Sequence, residues 1–240
     1  MFDVKLKRQQ RTNDKGAGEQ VADEVLEMED ARSMQSPAVY VIDDDDGFCT
    51  SMTRILCVAG MNAIAYRCVG EFLLTQSGNA PGCILVDIAM PGPSGIDLLK
   101  SLVSRELAPP IIFVTGYDDV HTSVDVMKIG AFDYIVKPVS AERILPTVRR
   151  AMRIDAERRN ARLELDELRR RYEDLTCSER AIFRGILRNK LNKQLAAELG
   201  ACERTIKAQR ARMMEKMHLS TLPELVRAAS RLETECSMEG

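Results

Sequence analysis

Five polar residues at or just after the ends of short apolar runs could act together chemically: Asp43, Asp44, Asp87, Thr115 and Lys137. Three carboxylates brought together repel one another, and one protonates unless a cation lies among them. Oxygen-only ligands beside water suit Mg²⁺, which keeps waters and phosphate oxygens in its coordination sphere. A lysine and a hydroxyl opposite the metal can hold the remaining oxygens of a phosphoryl group. The set therefore predicts phosphoryl transfer to a carboxylate.

These residues can meet only if the runs that carry them are neighbouring strands. Five apolar runs predict strands, at 38–42, 62–66, 83–86, 111–115 and 133–136. Helical spacing predicts helices at 48–59, 69–76, 95–104 and 120–129, and a fifth from 141 to about 175. This alternation is typical of an α/β fold with a doubly wound, five-stranded parallel sheet. In the order 2-1-3-4-5, strands one, three, four and five are adjacent, and ligands bind beyond their carboxyl ends.

Residues 38 to about 150 resemble the receiver domain of two-component response regulators. The resemblance rests on four motifs in the family's order and spacing: VIDD (41–44), VDIAMPGPSG (86–95), FVTG (113–116) and DYIVKP (133–138). It implies that Asp87 accepts a phosphoryl group from a sensor histidine kinase. The implied Mg²⁺ ligands are Asp43, Asp44, Asp87 and the backbone carbonyl of Ala89.

The same resemblance implies roles for the residues opposite the metal. Thr115 and Lys137 would contact the phosphoryl group, and the Lys137–Pro138 peptide bond would be cis. Tyr134 would be the switch aromatic whose rotamer follows Thr115. Phosphorylation would then change the face formed by residues 120–135, and the chain would form a homodimer.

An enzymatic alternative stays open at this point. The motif DDDG (44–47) also resembles the nucleophile motif of haloacid-dehalogenase-type phosphatases, with Asp44 as nucleophile and Asp46 as acid/base. That family also needs an acidic metal-binding pair on a strand after the lysine. The segment PVSAERIL after Lys137 offers none, and Asp87 would have no role.

The fifth predicted helix is unusually long and carries an apolar seam. Its members recur at coiled-coil spacing: Ile154, Ala161, Leu165, Leu168, Tyr172 and Leu175. This spacing predicts a coiled-coil-like helical linker at 151–174 that pairs in a dimer. The competing interpretation is a solvated single helix that acts as a spacer, because the seam covers only about three heptads.

Residues 175–232 resemble the LuxR-type helix-turn-helix domain of NarL/FixJ response regulators. The resemblance rests on LTCSERAIF (175–183), NKLNKQLAAELG (189–200), CERTIKAQRARMMEKM (202–217) and TLPELVRAAS (221–230). On a helical wheel, Ile206, Met213 and Met217 face the core. The opposite face predicts contacts with double-stranded DNA from Arg204, Lys207, Ala208, Ala211 and the flanking Arg212, with Lys193 in the preceding helix. Asn189 and Cys202 replace a glycine and a serine that are usual in this family.

Charge and composition agree with this division. Residues 1–140 carry 12 Lys+Arg against 20 Asp+Glu, whereas residues 141–240 carry 22 against 16. A basic second half suggests an anionic partner for that half alone. Seven cysteines without a CxxC pair argue against a disulfide framework and a structural zinc site. No apolar run approaches the roughly 20 residues of a membrane span, and the start has no secretory signal, so we expect no membrane partner and a cytoplasmic location.

We therefore expect a phosphorylation-dependent, DNA-binding transcriptional regulator of a two-component system, and not an enzyme. The expected segments are a flexible leader (1–36), a receiver domain (37–150), the linker (151–174) and the helix-turn-helix domain (175–240). For the leader, a translation start at Met34 is an equally good interpretation. The alternative from another functional class is a receiver-bearing phosphorelay or interaction protein whose helical module binds protein.

Overall fold

The computed structural model describes residues 36–76, 78–116 and 119–236, so almost all of the predicted leader lies outside the described residues. The strands are β1 (Ala38–Ile42), β2 (Ala63–Tyr66), β3 (Gly82–Val86), β4 (Ile111–Thr115) and β5 (Asp133–Val136). The first five helices are α1 (Asp46–Val58), α2 (Val69–Thr75), α3 (Gly95–Leu102), α4 (Val120–Ile129) and α5 (Ala141–Glu173). Those that follow are α6 (Cys177–Leu187), α7 (Asn192–Leu199), α8 (Glu203–Lys216) and α9 (Leu222–Cys236).

The five strands form one parallel sheet in the order β2-β1-β3-β4-β5, which confirms the predicted topology. The central strands β1, β3 and β4 are buried along their whole length. Their side chains alternate between two apolar clusters, one on each face of the sheet. Helices α2, α3 and α4 cover one face, and α1 and the first half of α5 cover the other.

One glycine allows β3 to pair closely with β1. Gly82 has φ +131°, and a Cβ placed there would lie 1.8 Å from the Ala38 carbonyl oxygen. The Gly82 N–H is not left unpaired, because it donates to the Asp155 carboxylate of α5 at 2.8 Å. This hydrogen bond attaches α5 to the amino-terminal edge of the sheet.

Helix α5 is divided between two compact units, which meet in the sequence between Arg158 and Arg159. Its first half buries Ile144, Val148 and Ala151 in the receiver core. Its second half and the Leu175 that follows it contribute four of the six predicted seam residues to the core of the helical unit, where Leu168 and Leu175 are buried. The division between the two units thus falls inside the predicted 151–174 linker.

The predicted seam has packing partners within the chain itself. Leu165, Leu168, Tyr172 and Leu175 all pack against residues of α6 to α9. Leu168 and Leu175 are buried there, whereas Leu165 and Tyr172 are half-buried, and the pairing of the seam in a dimer stays a prediction. The packing within the chain has a physical reason: an apolar stripe must be covered, and the chain covers it with its own following helices.

Capping and ion-pair contacts at helix ends stabilise the helical unit. Thr176 and Glu179 form a reciprocal capping box at the start of α6. Glu179 also accepts a hydrogen bond from Lys216 Nζ, in the last turn of α8, at 2.7 Å. Asn189 adopts φ 56°, as its tolerance of the left-handed region allows. No helix in the described part of the chain combines the length and apolar character needed to cross a bilayer.

Candidate functional site

Parallel pairing of β1 with β3 brings three aspartates together at the carboxyl end of the sheet. Asp43 follows β1 and Asp87 follows β3, and the Asp87 N–H donates to the Ile42 carbonyl at 3.0 Å. Carboxylate oxygens of Asp43, Asp44 and Asp87 all lie within 4.8 Å of one another. Asp43 and Asp87 are buried, whereas Asp44 is exposed. The cluster therefore opens to solvent on the Asp44 side.

Lys137 enters the same pocket from the end of β5. Its backbone N–H donates to the Thr115 carbonyl at 2.7 Å, and the Lys137–Pro138 peptide bond is cis. Its Nζ donates to Asp43 Oδ2 at 2.7 Å and lies 3.9 Å from Asp87 Oδ2. The ammonium therefore neutralises part of the negative charge of the cluster and stands beside Asp87 without a direct hydrogen bond to it.

The electrostatics of the pocket favour a bound cation. Burial raises the pKa of the Asp43 carboxyl, and hydrogen bonds from Lys137 and the Asp45 N–H offset this effect only in part. Three carboxylates against one ammonium leave an excess of negative charge. The donors are all oxygens, the set that Mg²⁺ prefers. Behind the pocket, burial raises the pKa of the Cys49 thiol to about 11, and its Sγ donates to the Asp43 carbonyl at 3.4 Å.

The remaining predicted site residues, Thr115, Tyr134 and Ala89, differ in burial. Thr115 is fully buried at the end of β4. Tyr134 is half-buried on β5 and lines a surface cavity with residues of α4, including Val124 and Met127. Ala89 is exposed, two residues after Asp87 in the loop that follows β3.

Two of the four consecutive aspartates have structural roles outside the cluster. Asp45 caps α1, and its Oδ1 accepts from the Gly47 and Phe48 N–H groups at 2.8 and 3.1 Å. Asp46 forms an exposed ion pair with Arg67 at 2.8 Å. Asp45 therefore stabilises the start of α1, and Asp46 is bound at the surface by Arg67.

Sequence reasoning missed two residues that shape the pocket. Gly95, the first residue of α3, approaches the loop after β3 so closely that a Cβ would lie 2.4 Å from the Asp87 carbonyl oxygen. Phe48 places its ring 4.1 Å from Lys137 Nζ, measured to the ring centroid. The glycine at the end of VDIAMPGPSG was a signal for a close approach, but no spacing rule pointed to Phe48.

In the helical unit, α7 and α8 form a helix-turn-helix with one basic, exposed face. Gly200 ends α7 in the left-handed conformation with φ 62°. The predicted core residues Ile206, Met213 and Met217 of the α8 segment are fully buried. The six predicted DNA-contact residues are all exposed: Lys193, Arg204, Lys207, Ala208, Ala211 and Arg212.

Two residues next to this face make their own local contacts. Lys190 is bound by the Glu198 carboxylate at 2.5 and 2.7 Å. Cys202 stands at the N-cap of α8 without a side-chain cap, as expected for a poor capping residue. A hydrogen bond with Thr205 Oγ1, at 3.1 Å, lowers the pKa of the Cys202 thiol.

Comparison with known families identifies both domains. Residues 39–149 match the family described as "Response regulator receiver domain", and residues 173–229 match "Bacterial regulatory proteins, luxR family". Along most of its length the chain is 32% identical to the response regulator protein TodT of Pseudomonas putida, over 84% of this chain and 88% of TodT. This chain is a response regulator.

The regulator resembles other proteins of the same architecture. It is 35% identical to the transcriptional regulatory protein FixJ of Azorhizobium caulinodans, over 81% of this chain and 92% of FixJ. The solved structure of the response regulator StyR matches with a TM-score of 0.74 and 33% identity, covering 82% of this chain and all of StyR. The response regulator therefore combines a receiver domain with a LuxR-type DNA-binding domain, as the sequence predicted.

Proposed function

We propose that this response regulator accepts a phosphoryl group on Asp87 from a sensor histidine kinase and changes its binding to DNA in consequence. The geometry of the carboxylate cluster is the main support for this proposal. Asp43, Asp44 and Asp87 have oxygens within 4.8 Å of one another, with the Lys137 ammonium 3.9 Å from Asp87 Oδ2. Those groups are what transfer to a carboxylate requires.

In the proposed transfer, a carboxylate oxygen of Asp87 attacks the phosphorus of a phosphohistidine. The phosphorus–nitrogen bond breaks, and its electron pair returns to the imidazole of the kinase. Mg²⁺ held by Asp43, Asp44, Asp87 and the Ala89 carbonyl would neutralise charge on the phosphoryl oxygens. The Lys137 ammonium and the Thr115 hydroxyl hold the other phosphoryl oxygens. The chain thus promotes only its own phosphorylation and hydrolysis, and acts as a regulator.

In this proposal, β4 and β5 transmit the conformational change from the pocket to α4. Thr115 and Tyr134 occupy neighbouring strands, with the ladder pairing Phe113 with Tyr134 and Thr115 with Val136. A Thr115 hydroxyl drawn to the phosphoryl group changes the space available to Tyr134, which borders α4. Three apolar side chains on α4 are exposed, namely Val120, Val124 and Met127. An exposed apolar face of this kind supports homodimer formation after phosphorylation.

The DNA contact is proposed for the exposed face of α8. Between 176 and 230 the chain has 11 Lys+Arg against 5 Asp+Glu, which favours a polyanion. Ala208 and Ala211 keep the middle of the face flat, so the helix can lie deep in a major groove. Arg204, Lys207 and Arg212 surround these alanines, and Lys193 of α7 reaches the flanking phosphates.

Labelling with acetyl phosphate tests the acceptor and separates it from a phosphatase. Asp87→Asn should abolish labelling, and Asp44→Asn should reduce it by weakening Mg²⁺ binding. Asp46→Asn is the matched control, because Asp46 is exposed and paired with Arg67. It should be labelled like the wild type. Full labelling of Asp87→Asn, or label on Asp44, would contradict the assignment and restore the phosphatase alternative.

Gel shifts at several salt concentrations test the DNA face against the protein-binding alternative. Wild-type binding should fall steeply with salt because counterions are released from DNA. Lys207→Ala should weaken binding to every sequence and lower the salt slope by about 1. Arg143→Ala, which removes an exposed positive charge from the receiver, is the control and should bind like the wild type. A flat salt dependence would favour a protein partner.

Analytical ultracentrifugation tests the proposed dimer. The phosphorylated wild type should sediment as a dimer, whereas Val124→Glu should stay monomeric while Asp87 is labelled normally. Leu74→Glu is the control, since Leu74 on α2 is 90% exposed and lies away from α4 and β5. A phosphorylated wild type that remains monomeric would contradict this part of the proposal.

A further inference from the structure

The Lys137 ammonium lies against an aromatic ring that none of the predicted site roles includes. The distance from Lys137 Nζ to the centroid of the Phe48 ring is 4.1 Å, within the range of a cation–π interaction. Phe48 is the third residue of α1, and its backbone N–H donates to the Asp45 carboxylate at 3.1 Å. The N-cap of α1 therefore fixes the backbone from which this ring projects.

The surroundings of the ammonium show what the ring contributes. Nζ donates to Asp43 Oδ2 at 2.7 Å, but its distance of 3.9 Å from Asp87 Oδ2 is too long for a hydrogen bond. Lysine is a point charge on a flexible four-carbon stem, so one hydrogen bond leaves the ammonium considerable freedom. The Phe48 ring provides a second contact and limits that freedom. The side chain of Lys137 is only 22% exposed, so water competes weakly with the ring.

We propose that Phe48 is a positioning residue for phosphoryl transfer, acting through Lys137. The ring and Asp43 together hold the ammonium far enough from Asp87 to leave room for a phosphoryl oxygen, which it can then meet at about 2.8 Å. The inference rests on the proposed phosphorylation of Asp87. With acetyl phosphate as donor, the bond from phosphorus to the acetate oxygen breaks and acetate leaves with the electron pair. A carboxylate oxygen of Asp87 forms the new bond, and Lys137 keeps its protons.

A purely structural role for Phe48 is the competing explanation. Its ring also packs against the apolar cluster of α1, which includes Cys49 and Met52. A packing defect would slow phosphorylation whether or not residue 137 carries a charge. A positioning role depends on the ammonium, so the two explanations differ in a double-mutant cycle.

The experiment measures the initial rate of Asp87 phosphorylation by acetyl phosphate at fixed Mg²⁺, in the full chain. Phe48→Leu should be about fivefold slower than the wild type, the loss expected from an interaction of cation–π strength. Phe48→Tyr keeps an aromatic face and should restore most of the rate. In a Lys137→Met background, Phe48→Leu should change the rate by less than about twofold. An equal loss in both backgrounds, or no loss in either, would overturn the proposal.

A second measurement keeps the test decisive if Lys137→Met is phosphorylated too slowly to follow. The proton resonances of the Lys137 ε-methylene group should be shifted upfield by the ring in the wild type and in Phe48→Tyr. They should return to ordinary values in Phe48→Leu. A slower Phe48→Leu with unmoved Lys137 resonances would reject the positioning role. A wild type that acetyl phosphate does not label would instead reject phosphorylation of Asp87 itself.

Discussion

Replacing Glu179 with glutamine should destabilise the helical unit, because this carboxylate joins the start of α6 to the end of α8. Its Oε2 accepts from the Thr176 N–H at 2.9 Å and from Lys216 Nζ at 2.7 Å. The Thr176 hydroxyl lies 3.0 Å from the same oxygen. Only 6% of the Glu179 side chain is exposed, so water cannot replace these partners.

The magnitude follows from the hydrogen bonds that lose their charge. A hydrogen bond to a charged group contributes about 1.5–3 kcal/mol to stability, and one between neutral groups contributes about 0.5–1.5 kcal/mol. The bonds from the Thr176 N–H and from Lys216 Nζ should therefore each weaken by about 1 kcal/mol. Lys216 is 40% exposed, and solvent screens its share. The free energy of unfolding of the helical unit should therefore fall by about 1.5 kcal/mol. For a domain of this size, this change lowers the Tm by about 6–12 °C.

The effect should depend on pH in a defined direction. The hydrogen bond from Lys216, with those from Thr176, lowers the pKa of the Glu179 carboxyl in the folded state below its ordinary value of 4.5. Because the folded pKa is lowered, the ionised carboxylate contributes its full stabilisation at pH values above the unfolded pKa. This contribution is lost as the pH falls through the folded pKa. The difference between wild type and Glu179→Gln should be constant near neutrality and shrink below about pH 4.5.

Scanning calorimetry of the full chain, with hydrogen exchange of the α6 and α8 amides, measures this difference. Glu224→Gln is the matched control, because Glu224 caps α9 through solvent-exposed hydrogen bonds from the Ser220 and Thr221 N–H groups. It should be clearly less destabilising. Equal stability of Glu179→Gln and the wild type at pH 7, or a difference that persists in acid, would refute the reasoning.

Three further substitutions test other parts of the structure. Gly95→Ala should slow acetyl phosphate labelling, because its Cβ would lie 2.4 Å from the Asp87 carbonyl oxygen and displace the acceptor loop; unchanged labelling kinetics would contradict this. Asp155→Ala leaves the buried Gly82 N–H unpaired, so the unfolding free energy of the receiver, measured in urea, should fall by about 1–3 kcal/mol. An unchanged urea midpoint would show that the hydrogen bond between Gly82 and Asp155 is dispensable. Leu168→Ala should cost the helical unit about 2–5 kcal/mol, because Leu168 is a core residue there. A loss only of dimerisation, with stability intact, would instead support the predicted coiled-coil seam.

The sequence by itself determined the sheet and the residues at its carboxyl edge. Short apolar runs separated by helical stretches allow few topologies, and in a parallel sheet every strand ends at the same edge. The residues after β1 and β3 and at the ends of β4 and β5 therefore meet there, as Asp43, Asp87, Thr115 and Lys137 do. The wheel of α8 was equally informative, because helical period alone separates buried Ile206 from the basic face.

Only the tertiary structure decided which surfaces cover each other. The apolar seam that begins in α5 showed that one face of the helix needs an apolar partner. Its spacing is compatible both with a second copy of the helix and with the helical unit, which covers Leu168 and Leu175 in the structure. The contact of Phe48 with Lys137 joins residues almost 90 positions apart, and no local period reports such a contact. Periodicity records whether a side chain is buried, whereas its neighbours depend on how the elements pack in three dimensions.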